Sequence, residues 1–265
     1  GVFYSNAPHG QHRLEVSIIA YRNAESGEIH FTTGENEGNA SVALCNAEGD
    51  ILWSWHIWIT DHPEEQPVTI GEHTITILDR NLGATAATCN SAENALATYG
   101  LYYQWGRKDP FLISTGSTIT WPSWVESSAS TGTVDYVTKN PTTYVQGVWS
   151  RDDDWHFSNR DNTLWGSEKT IYDPCPAGYR VPDASVWENA GMGGSANAMT
   201  WNDDGKVFFM EKCGPYYPYA GTFGQYEHGF WGYYWSVTPA AQYLWVYWDD
   251  DDDNHFGIGG IADRG

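Results

Sequence analysis

The chain has 265 residues, of which 41% are hydrophobic and 18% charged, the balance of a globular protein with enough length for a substantial core. Its formal net charge of −21 repels phosphate backbones and anionic lipid headgroups, so nucleic acids and membrane surfaces are not expected partners. No apolar run approaches the length of a transmembrane helix. No leader of the secretory type begins the chain, so we expect any secretion signal to have been removed or never to have been part of this sequence.

Short strands are predicted for the N-terminal part of the chain. Alternating apolar residues predict strands over residues 12–22, 28–33, 41–45 and 51–60, and the last of these carries three tryptophans. A Glu-Gly-Asp turn at 48–50 separates the last two strands. Residues 61–67 are acidic and contain two prolines, which predicts a linker or a boundary loop.

The remainder of the chain mixes a few helices with more strands. A helix is predicted over residues 92–106 with Ser91 as its N-cap, and a second, short helix over residues 183–188 with Asp183 as its cap. Residues 113–167 show little periodicity, but their aromatic residues predict ordered, packed loops. Strands are predicted at 74–78, 207–210, 233–236 and 242–248, with a turn at 81–84. The pattern indicates the α+β class.

The four cysteines, Cys45, Cys89, Cys175 and Cys213, lie too far apart to form a Cys-x-x-Cys zinc or redox motif. The low lysine content, with abundant Trp, Tyr, Thr, Ser and Asn, favours an exported protein. In such a protein the cysteines either form up to two disulfides or remain buried thiols. We expect no more than one disulfide.

Four separated motifs give the chain a family likeness. They are Asp-Arg-Asn-Leu-Gly-Ala at 79–84, Tyr-Gly-Leu-Tyr-Tyr-Gln-Trp-Gly-Arg at 99–107, Asp-Pro-Cys-Pro-Ala-Gly-Tyr-Arg-Val-Pro at 173–182 and Tyr-Trp-Ser-Val-Thr-Pro at 234–239. In this order, over residues 74–265, they resemble the Fibrobacter succinogenes major paralogous domain family of bacterial surface proteins. The resemblance implies a C-type-lectin-like domain, with two helices and a small, twisted, mostly antiparallel sheet, over residues 69–265. Residues 41–60 look like the end of the module that precedes this domain in fimbrial tip-type proteins, which implies a smaller all-β, sandwich-like domain over residues 1–68.

The motifs themselves read as scaffold. Their glycines, Gly83, Gly100, Gly106 and Gly178, suit turns that need open backbone angles, and their tryptophans suit a core. Members of the family usually continue into a final strand that contains Ser-Val-Arg-Cys, whereas this chain stops at Arg264-Gly265. Either the sequence is truncated or the sheet closes differently. A cysteine at the Cys175 position often pairs with the one that is missing here, so the resemblance implies no such disulfide for this chain.

Three short segments are weighed as cation or catalytic sites. The five aspartates at 249–253 are interpreted as either a calcium site or a solvated turn, and we favour the turn because consecutive carboxylates cannot all face one ion. Trp201-Asn202-Asp203 has the letters of a calcium-ligand triad of sugar-binding C-type lectins, but its companion loop is missing, so we expect coincidence. Asp152, Asp153 and Asp154, followed by His156, are interpreted as a surface loop rather than a site.

No catalytic motif is found: the sequence has no Gly-x-Ser-x-Gly elbow, no His-Glu-x-x-His and no phosphate-binding glycine loop. We therefore predict a protein that is not an enzyme and that needs no cofactor, with calcium as the alternative.

The aromatic C-terminus is the strongest functional signal. Alternation over 242–248 assigns Leu244 and Val246 to the core and Tyr243, Trp245 and Tyr247 to the opposite face. That face is either a second buried layer or an exposed surface of rigid, amphipathic rings suited to stacking on sugars or proteins. The predicted ligand-binding residues are Tyr226, His228, Phe230, Trp231, Tyr243, Trp245, Tyr247, Trp248, Asp249, Asp251, Asn254, His255 and Phe256.

The resemblance has a further implication for this region. Some C-type-lectin-like surface proteins have a C-terminal segment that retroelements diversify by mutating adenines in Asn codons. Every residue from Asp249 to Gly265 is one that such mutagenesis of an AAC codon can reach, which makes diversification a hypothesis for this chain. We therefore predict an adhesin-like, extracellular protein of the bacterial cell surface, outer-membrane or pilus associated, that binds a glycan or a protein. The alternative is a structural pilus subunit whose sheet is completed by a neighbour's strand.

Overall fold

The computed structural model describes residues 3–4, 19–22, 25–70, 72–88, 95–111, 122–148, 154–158, 161–187, 200–202, 207–209, 216–218, 231–237, 243–248 and 254–259. The chain forms two compact units, each built from separated segments. The first unit comprises Gly1–Asp61, Lys108–Arg160 and Gly265, and the second comprises His62–Arg107 and Asp161–Arg264. The sequence instead predicted a single boundary after residue 68.

The described elements are mostly short strands in hairpins and small sheets, with few helices, which fits the predicted α+β class and equally a mainly-β class. The strands are β1 (Phe3–Tyr4), β2 (Ile19–Arg22), β3 (Ile29–Thr32), β4 (Gly38–Cys45), β5 (Ile51–Ile59), β6 (Glu65–Ile70), β7 (His73–Leu78), β8 (Trp124–Glu126), β9 (Tyr144–Gln146), β10 (Thr200–Asn202), β11 (Val207–Phe209), β12 (Tyr216–Pro218), β13 (Trp231–Trp235), β14 (Tyr243–Trp248) and β15 (Asn254–Gly259). The helices are α1 (Ala95–Tyr99), α2 (Val134–Lys139) and α3 (Ser185–Trp187).

The β4–β5 hairpin dominates the first unit and confirms the strands predicted at 41–45 and 51–60. The strands pair antiparallel, with β1 on the other side of β4. The predicted turn closes the hairpin: Asp50 N donates to Asn46 Oδ1 over 2.7 Å, and Gly49 has a φ of 95°, a conformation that favours glycine. Of the strand predicted over 12–22, the described part is β2, which pairs with β3.

Residues 113–167 contain elements that the sequence did not reveal. Helix α2 begins after Thr133, whose side chain accepts a hydrogen bond from Tyr136 N, as an N-cap should. Strands β8 and β9 pair in parallel, and Val145 on β9 is fully buried, as is Trp155 further along. The described part of this region is ordered and packed, as predicted. The expectation that it would consist of loops is wrong, because it contains α2, β8 and β9.

In the second unit, the predicted linker at 61–67 is wrong over its last three residues. Residues 65–67 belong to β6, which pairs antiparallel with β7 along its whole length, and Val68 on β6 is fully buried. Pro67, opposite Thr76, is compatible with a strand because β6 is paired on one side only among the described residues.

The helix predicted over 92–106 ends earlier in the structure. It is described as α1 and ends at Tyr99, because Gly100 takes a φ of 73° that a helix cannot continue through. Leu101 N then bonds to Leu82 O over 2.9 Å rather than to the helix. The second predicted helix is confirmed as α3, and Asp183 Oδ1 accepts a hydrogen bond from Ser185 N, as expected of its cap.

Two three-stranded antiparallel sheets complete the second unit, in the orders β10-β11-β12 and β13-β14-β15. Strands β11, β13 and β14 were predicted, whereas β10, β12 and β15 were not. Trp201 and Asn202 lie in β10, with Asn202 opposite Val207, so these two residues of the Trp201-Asn202-Asp203 triad belong to a strand of a hairpin. Asp203 lies outside the described residues.

Cys45 and Cys175 are free thiols. Burial raises the pKa of the Cys175 thiol, and the neighbouring carboxylate of Asp173 raises it further. Cys89 and Cys213 lie outside the described residues. None of the helices in the described part of the chain has the length and apolar character to cross a membrane.

Candidate functional site: an aromatic face on the C-terminal sheet

One face of the C-terminal sheet collects aromatic positions from two neighbouring strands. In the register of β13 and β14, Trp231 lies opposite Tyr247, Tyr233 opposite Trp245, and Trp235 opposite Tyr243. Because successive residues of a strand alternate between faces, these six positions lie on the same face of the sheet. We call this set the aromatic face: Trp231, Tyr233, Trp235, Tyr243, Trp245 and Tyr247.

Two of the described positions on the opposite face are buried. Leu244 is 0% exposed, and Gly232, across from Val246 in the register, is buried. The prediction that Leu244 faces the core is therefore confirmed. On the aromatic face, the four residues with described side chains are half-buried, so none of them belongs to a fully buried second layer. These four are Tyr233, Trp235, Tyr243 and Trp245.

The rings of the aromatic face contact each other across the strands. The centroids of Tyr233 and Tyr243 are 5.3 Å apart with the planes tilted by 40°, and those of Trp235 and Tyr243 are 6.3 Å apart at 79°. Both separations lie in the range where aromatic pairs attract. Tyr243 is therefore held between two neighbours, which limits its side-chain freedom before any ligand arrives.

Strand β15 adds a row with little side-chain bulk beside the aromatic face. In its register with β14, Gly259 lies opposite Tyr243, Gly257 opposite Trp245, and His255 opposite Tyr247. A glycine has no side chain, so Gly257 and Gly259 place no side chain of their own beside the neighbouring aromatic positions. His255 occupies the end of this row.

The predicted ligand-binding residues divide between the two faces. Trp231, Tyr243, Trp245, Tyr247 and His255 hold register positions on the aromatic side. Alternation places three others on the Leu244 side: Trp248, Asn254 and Phe256. The remaining five lie outside the described residues: Tyr226, His228, Phe230, Asp249 and Asp251. The five aspartates that join Trp248 to Asn254 in the sequence are outside them as well.

Two members of the aromatic face were missed by sequence reasoning. Tyr233 was assigned only to a strand, and Trp235 was assigned to the core as part of a scaffold motif. The signal was present in the alternation of Trp231, Tyr233 and Trp235, but only the pairing with β14 shows that these residues continue the face that carries Tyr243.

Hydrogen bonds fasten the end of β13 to two other motifs of the second unit. Trp235 Nε1 donates to Tyr103 O over 2.9 Å, and Trp105 Nε1 donates to Ser236 O over 2.9 Å. Val237 N donates to Pro182 O over 2.9 Å. Trp105 is fully buried, so its indole N–H needs this partner. The strand that carries half of the aromatic face is thereby anchored to the motifs at 99–107 and 173–182.

The motif at 99–107 is in turn joined to the one at 79–84. Asn81 Nδ2 donates to Tyr99 O over 3.2 Å, and Leu101 N donates to Leu82 O over 2.9 Å. A Cβ atom at Gly100 would lie 2.6 Å from Leu82 O, a distance that real Cβ atoms do not adopt. Glycine is therefore required at this close approach of two backbone segments.

The carboxylate of Asp173 makes hydrogen bonds within the third motif, at 173–182. Its buried carboxylate accepts hydrogen bonds from Cys175 N over 2.9 Å and from Val181 N over 2.9 Å, and it pairs with Lys169 Nζ at 3.0 Å. Lys169 Nζ also donates to Cys175 O over 2.6 Å. All four motifs are thus linked by hydrogen bonds into one scaffold that supports the aromatic face, which agrees with their interpretation as structural.

A second polar cluster lies in the first unit, on β5. Lys108 Nζ donates to Ser54 O over 2.9 Å and to Ser54 Oγ over 2.6 Å, and it pairs with Asp109 Oδ2 at 2.7 Å. Ser54 Oγ donates to Asp109 Oδ1 over 2.7 Å, and the ammonium lies 4.5 Å from the ring centroid of Trp53. A serine beside a lysine resembles a nucleophile with its base, but Ser54 is only 1% exposed and its hydroxyl is beyond a substrate's reach. The cluster joins residues 108–109 to β5.

His56 on β5 is held neutral near this cluster. Its Nε2 lies 2.9 Å from Asn39 Oδ1. Burial lowers the pKa of the imidazole to about 4, and the negative charge of Asp109 only partly opposes the shift. A histidine that stays neutral down to this pH does not sense physiological pH, so it is part of the structure of the first unit.

The described part of the chain holds no cluster of three or more His, Cys, Asp or Glu side chains arranged to bind a metal ion. Of the acidic cluster with a nearby histidine, Asp152 and Asp153 lie outside the described residues. Asp154 is buried and accepts a hydrogen bond from His156 N over 2.8 Å, a local turn that a short loop uses to order itself.

Compared with known protein families, curated proteins and solved structures, the chain gives no match.

Proposed function

We propose that this chain is an adhesin-like ligand-binding protein of the bacterial cell surface, which holds a glycan or a protein on its aromatic face. One observation carries the proposal: the β13–β14 register collects Trp231, Tyr233, Trp235, Tyr243, Trp245 and Tyr247 on a single face whose four described side chains are half-buried. Tyrosine and tryptophan give a large contact area at low entropic cost, since each has only two side-chain torsions to immobilise.

The arrangement of the face supports binding rather than catalysis. Its rings are braced by mutual contacts and by the Trp235–Tyr103 hydrogen bond, so little order has to be imposed when a ligand arrives. The side chains described on this face are those of tyrosine and tryptophan, which supply no general base or nucleophile of ordinary reactivity. We therefore propose a binding protein rather than an enzyme.

The resemblance of the four motifs extends the proposal to fold and location. We propose a C-type-lectin-like domain of the Fibrobacter succinogenes major paralogous family, preceded by a β-sandwich-like module and displayed outside the cell. The hydrogen bonds that join the four motifs support treating them as one scaffold. If retroelements diversify residues 249–265, the register places His255, Gly257 and Gly259 beside the aromatic face, where variation would alter ligand choice.

A pilus subunit is the second candidate function. Within the described residues, β15 is paired with β14 and with no strand on its outer side. An open edge of this kind can accept a strand from a neighbouring subunit. Size-exclusion chromatography over a range of protein concentrations separates the candidates, because a monodisperse monomer supports the binding protein and concentration-dependent polymers support the subunit.

The test of the binding proposal is a glycan-array and cell-surface binding screen. It compares the wild type with a Tyr243→Ala/Trp245→Ala/Tyr247→Ala variant, and its matched control is Trp124→Ala, which removes a tryptophan that is 61% exposed in the first unit. We expect the triple variant to lose at least about tenfold in affinity, since central aromatic anchors carry most of the energy of an interface. The control should bind as the wild type does. Equal binding by wild type and triple variant, with circular dichroism unchanged, would refute the proposed site.

A further inference from the structure

We infer that the ligand of the aromatic face is an uncharged glycan, with sugar rings seated over Gly257 and Gly259 against the flank of Trp245 and Tyr243. This inference rests on the proposed binding function and specifies the chemistry of its ligand. The observations that carry it are the glycine positions of β15, the hydroxyl groups of the aromatic face and the charge of the chain.

The glycine row gives the face a shape that suits rings. Gly257 lies opposite Trp245 and Gly259 opposite Tyr243. Neighbouring strands are about 4.8 Å apart, and alternate residues of one strand are about 6.8 Å apart. The two glycines therefore mark a strip of β15, about one sugar ring wide, that carries no side chain of its own beside the aromatic positions. A pyranose ring has an apolar face of C–H groups that stacks on aromatic planes.

Hydroxyl groups of the face match the rim of a sugar ring. Tyr233 and Tyr243 each carry a phenolic O–H that can donate and accept, and both residues are half-buried, with their ring centroids 5.3 Å apart. A stacked sugar needs such partners at its edge, because hydroxyl groups removed from water without a hydrogen bond weaken binding. Rings for the apolar face and hydroxyls for the edge are both present within two adjacent strands.

Charge decides which sugars are accepted. The chain carries a formal net charge of −21, and five consecutive aspartates join Trp248 to Asn254, where β14 ends and β15 begins. A field of this sign lowers the local concentration of anions, so sialylated and sulfated glycans are disfavoured relative to neutral ones.

The charge argument is tested on a glycan array with matched pairs. Each pair holds a neutral oligosaccharide and the same oligosaccharide carrying a terminal sialic acid or sulfate, probed at about 50 and about 500 mM NaCl. We expect neutral members to bind about tenfold more tightly at the lower salt concentration, and the ratio to shrink at the higher one as charges are screened. Replacing all five aspartates by asparagine should also narrow the ratio.

The shape argument is tested by filling the strip. Gly257→Val places a branched side chain where the sugar ring is seated, and we expect a loss of about tenfold or more in binding of the neutral oligosaccharides. The matched control is Ile258→Val, which changes the adjacent position on the opposite face and should leave binding unchanged. Circular dichroism of both variants checks that the sheet is retained.

The outcomes separate this inference from the proposed function. If the aromatic triple variant binds like the wild type, the proposed function itself fails. If binding depends on the aromatic residues but acidic glycans bind as well as neutral ones, the inference is overturned and the proposed function stands. The same holds if Gly257→Val binds like Ile258→Val, or if no neutral oligosaccharide is bound.

Discussion

Replacing Gly100 by alanine tests the close approach that joins the first two motifs. The residue has a φ of 73°, and a Cβ atom there would lie 2.6 Å from Leu82 O and 2.8 Å from Asn81 Cβ. The left-handed backbone costs an alanine about 1–2 kcal/mol. Contact of the new Cβ atom with backbone that cannot rotate away adds about 1–3 kcal/mol to this destabilisation. Alanine also makes the unfolded chain less flexible, which offsets the loss of stability by somewhat less than about 1 kcal/mol. We expect Gly100→Ala to lower the free energy of unfolding by about 3 kcal/mol.

Gly178→Ala is the matched control, because Gly178 has a φ of 89° but no atom within 4 Å of the position that a Cβ would take. It should lose only the backbone cost, about 1 kcal/mol. Both residues belong to the second unit, so urea unfolding followed by tryptophan fluorescence reports the same transition for each. Equal losses for the two variants would show that the contact with Leu82 contributes nothing and would refute the reasoning.

Two further predictions concern buried polar groups. Burial lowers the pKa of His56 from 6.5 to about 4 in the folded protein, so the unfolded chain binds a proton at His56 before the folded chain does. The free energy of unfolding therefore keeps its full contribution from His56 above pH 6.5 and loses it as the pH falls towards 4. Lowering the pH from about 7 to about 4.5 should cost the wild type about 2–3 kcal/mol more than His56→Gln in urea unfolding, and an equal loss in both would contradict this. Asp173→Asn turns one carboxylate oxygen into an amide beside a backbone N–H, so we expect a loss of about 2–3 kcal/mol in the same assay. Asp135→Asn, at a carboxylate that is 75% exposed, is its control and should change stability by less than about 0.5 kcal/mol; a similar effect of both substitutions would count against a role for Asp173.

The alternation of apolar residues predicted much of the strand structure correctly. β4, β5, β7 and β14 were all expected within a few residues of where they lie, and the burial of Leu244 was expected from its neighbours alone. Alternation is a local property, because the side chains of a strand point to opposite faces whatever its partner is. Capping is local as well, which is why Asp183 was placed correctly at the start of α3.

Errors arose where a distant segment decides the local structure. The helical spacing of residues 95–103 continues past Gly100, but the chain turns there because Leu82 O accepts the hydrogen bond of Leu101 N. The acidic, proline-containing stretch before Val68 resembles a linker until β7 pairs with it. Neither partner is visible in the segment's own sequence.

The sequence by itself determined that Leu244 of β14 faces inward, where several turns and caps lie, and that the C-terminal region is rich in aromatic residues. Tertiary structure alone decided that Tyr233 and Trp235 lie opposite Trp245 and Tyr243 and that glycines flank the aromatic positions. The physical reason is that a face of a sheet is built by pairing between strands. Alternation with a period of two residues determines which residues of one strand share a face. The register between strands depends on contacts between residues far apart in the chain.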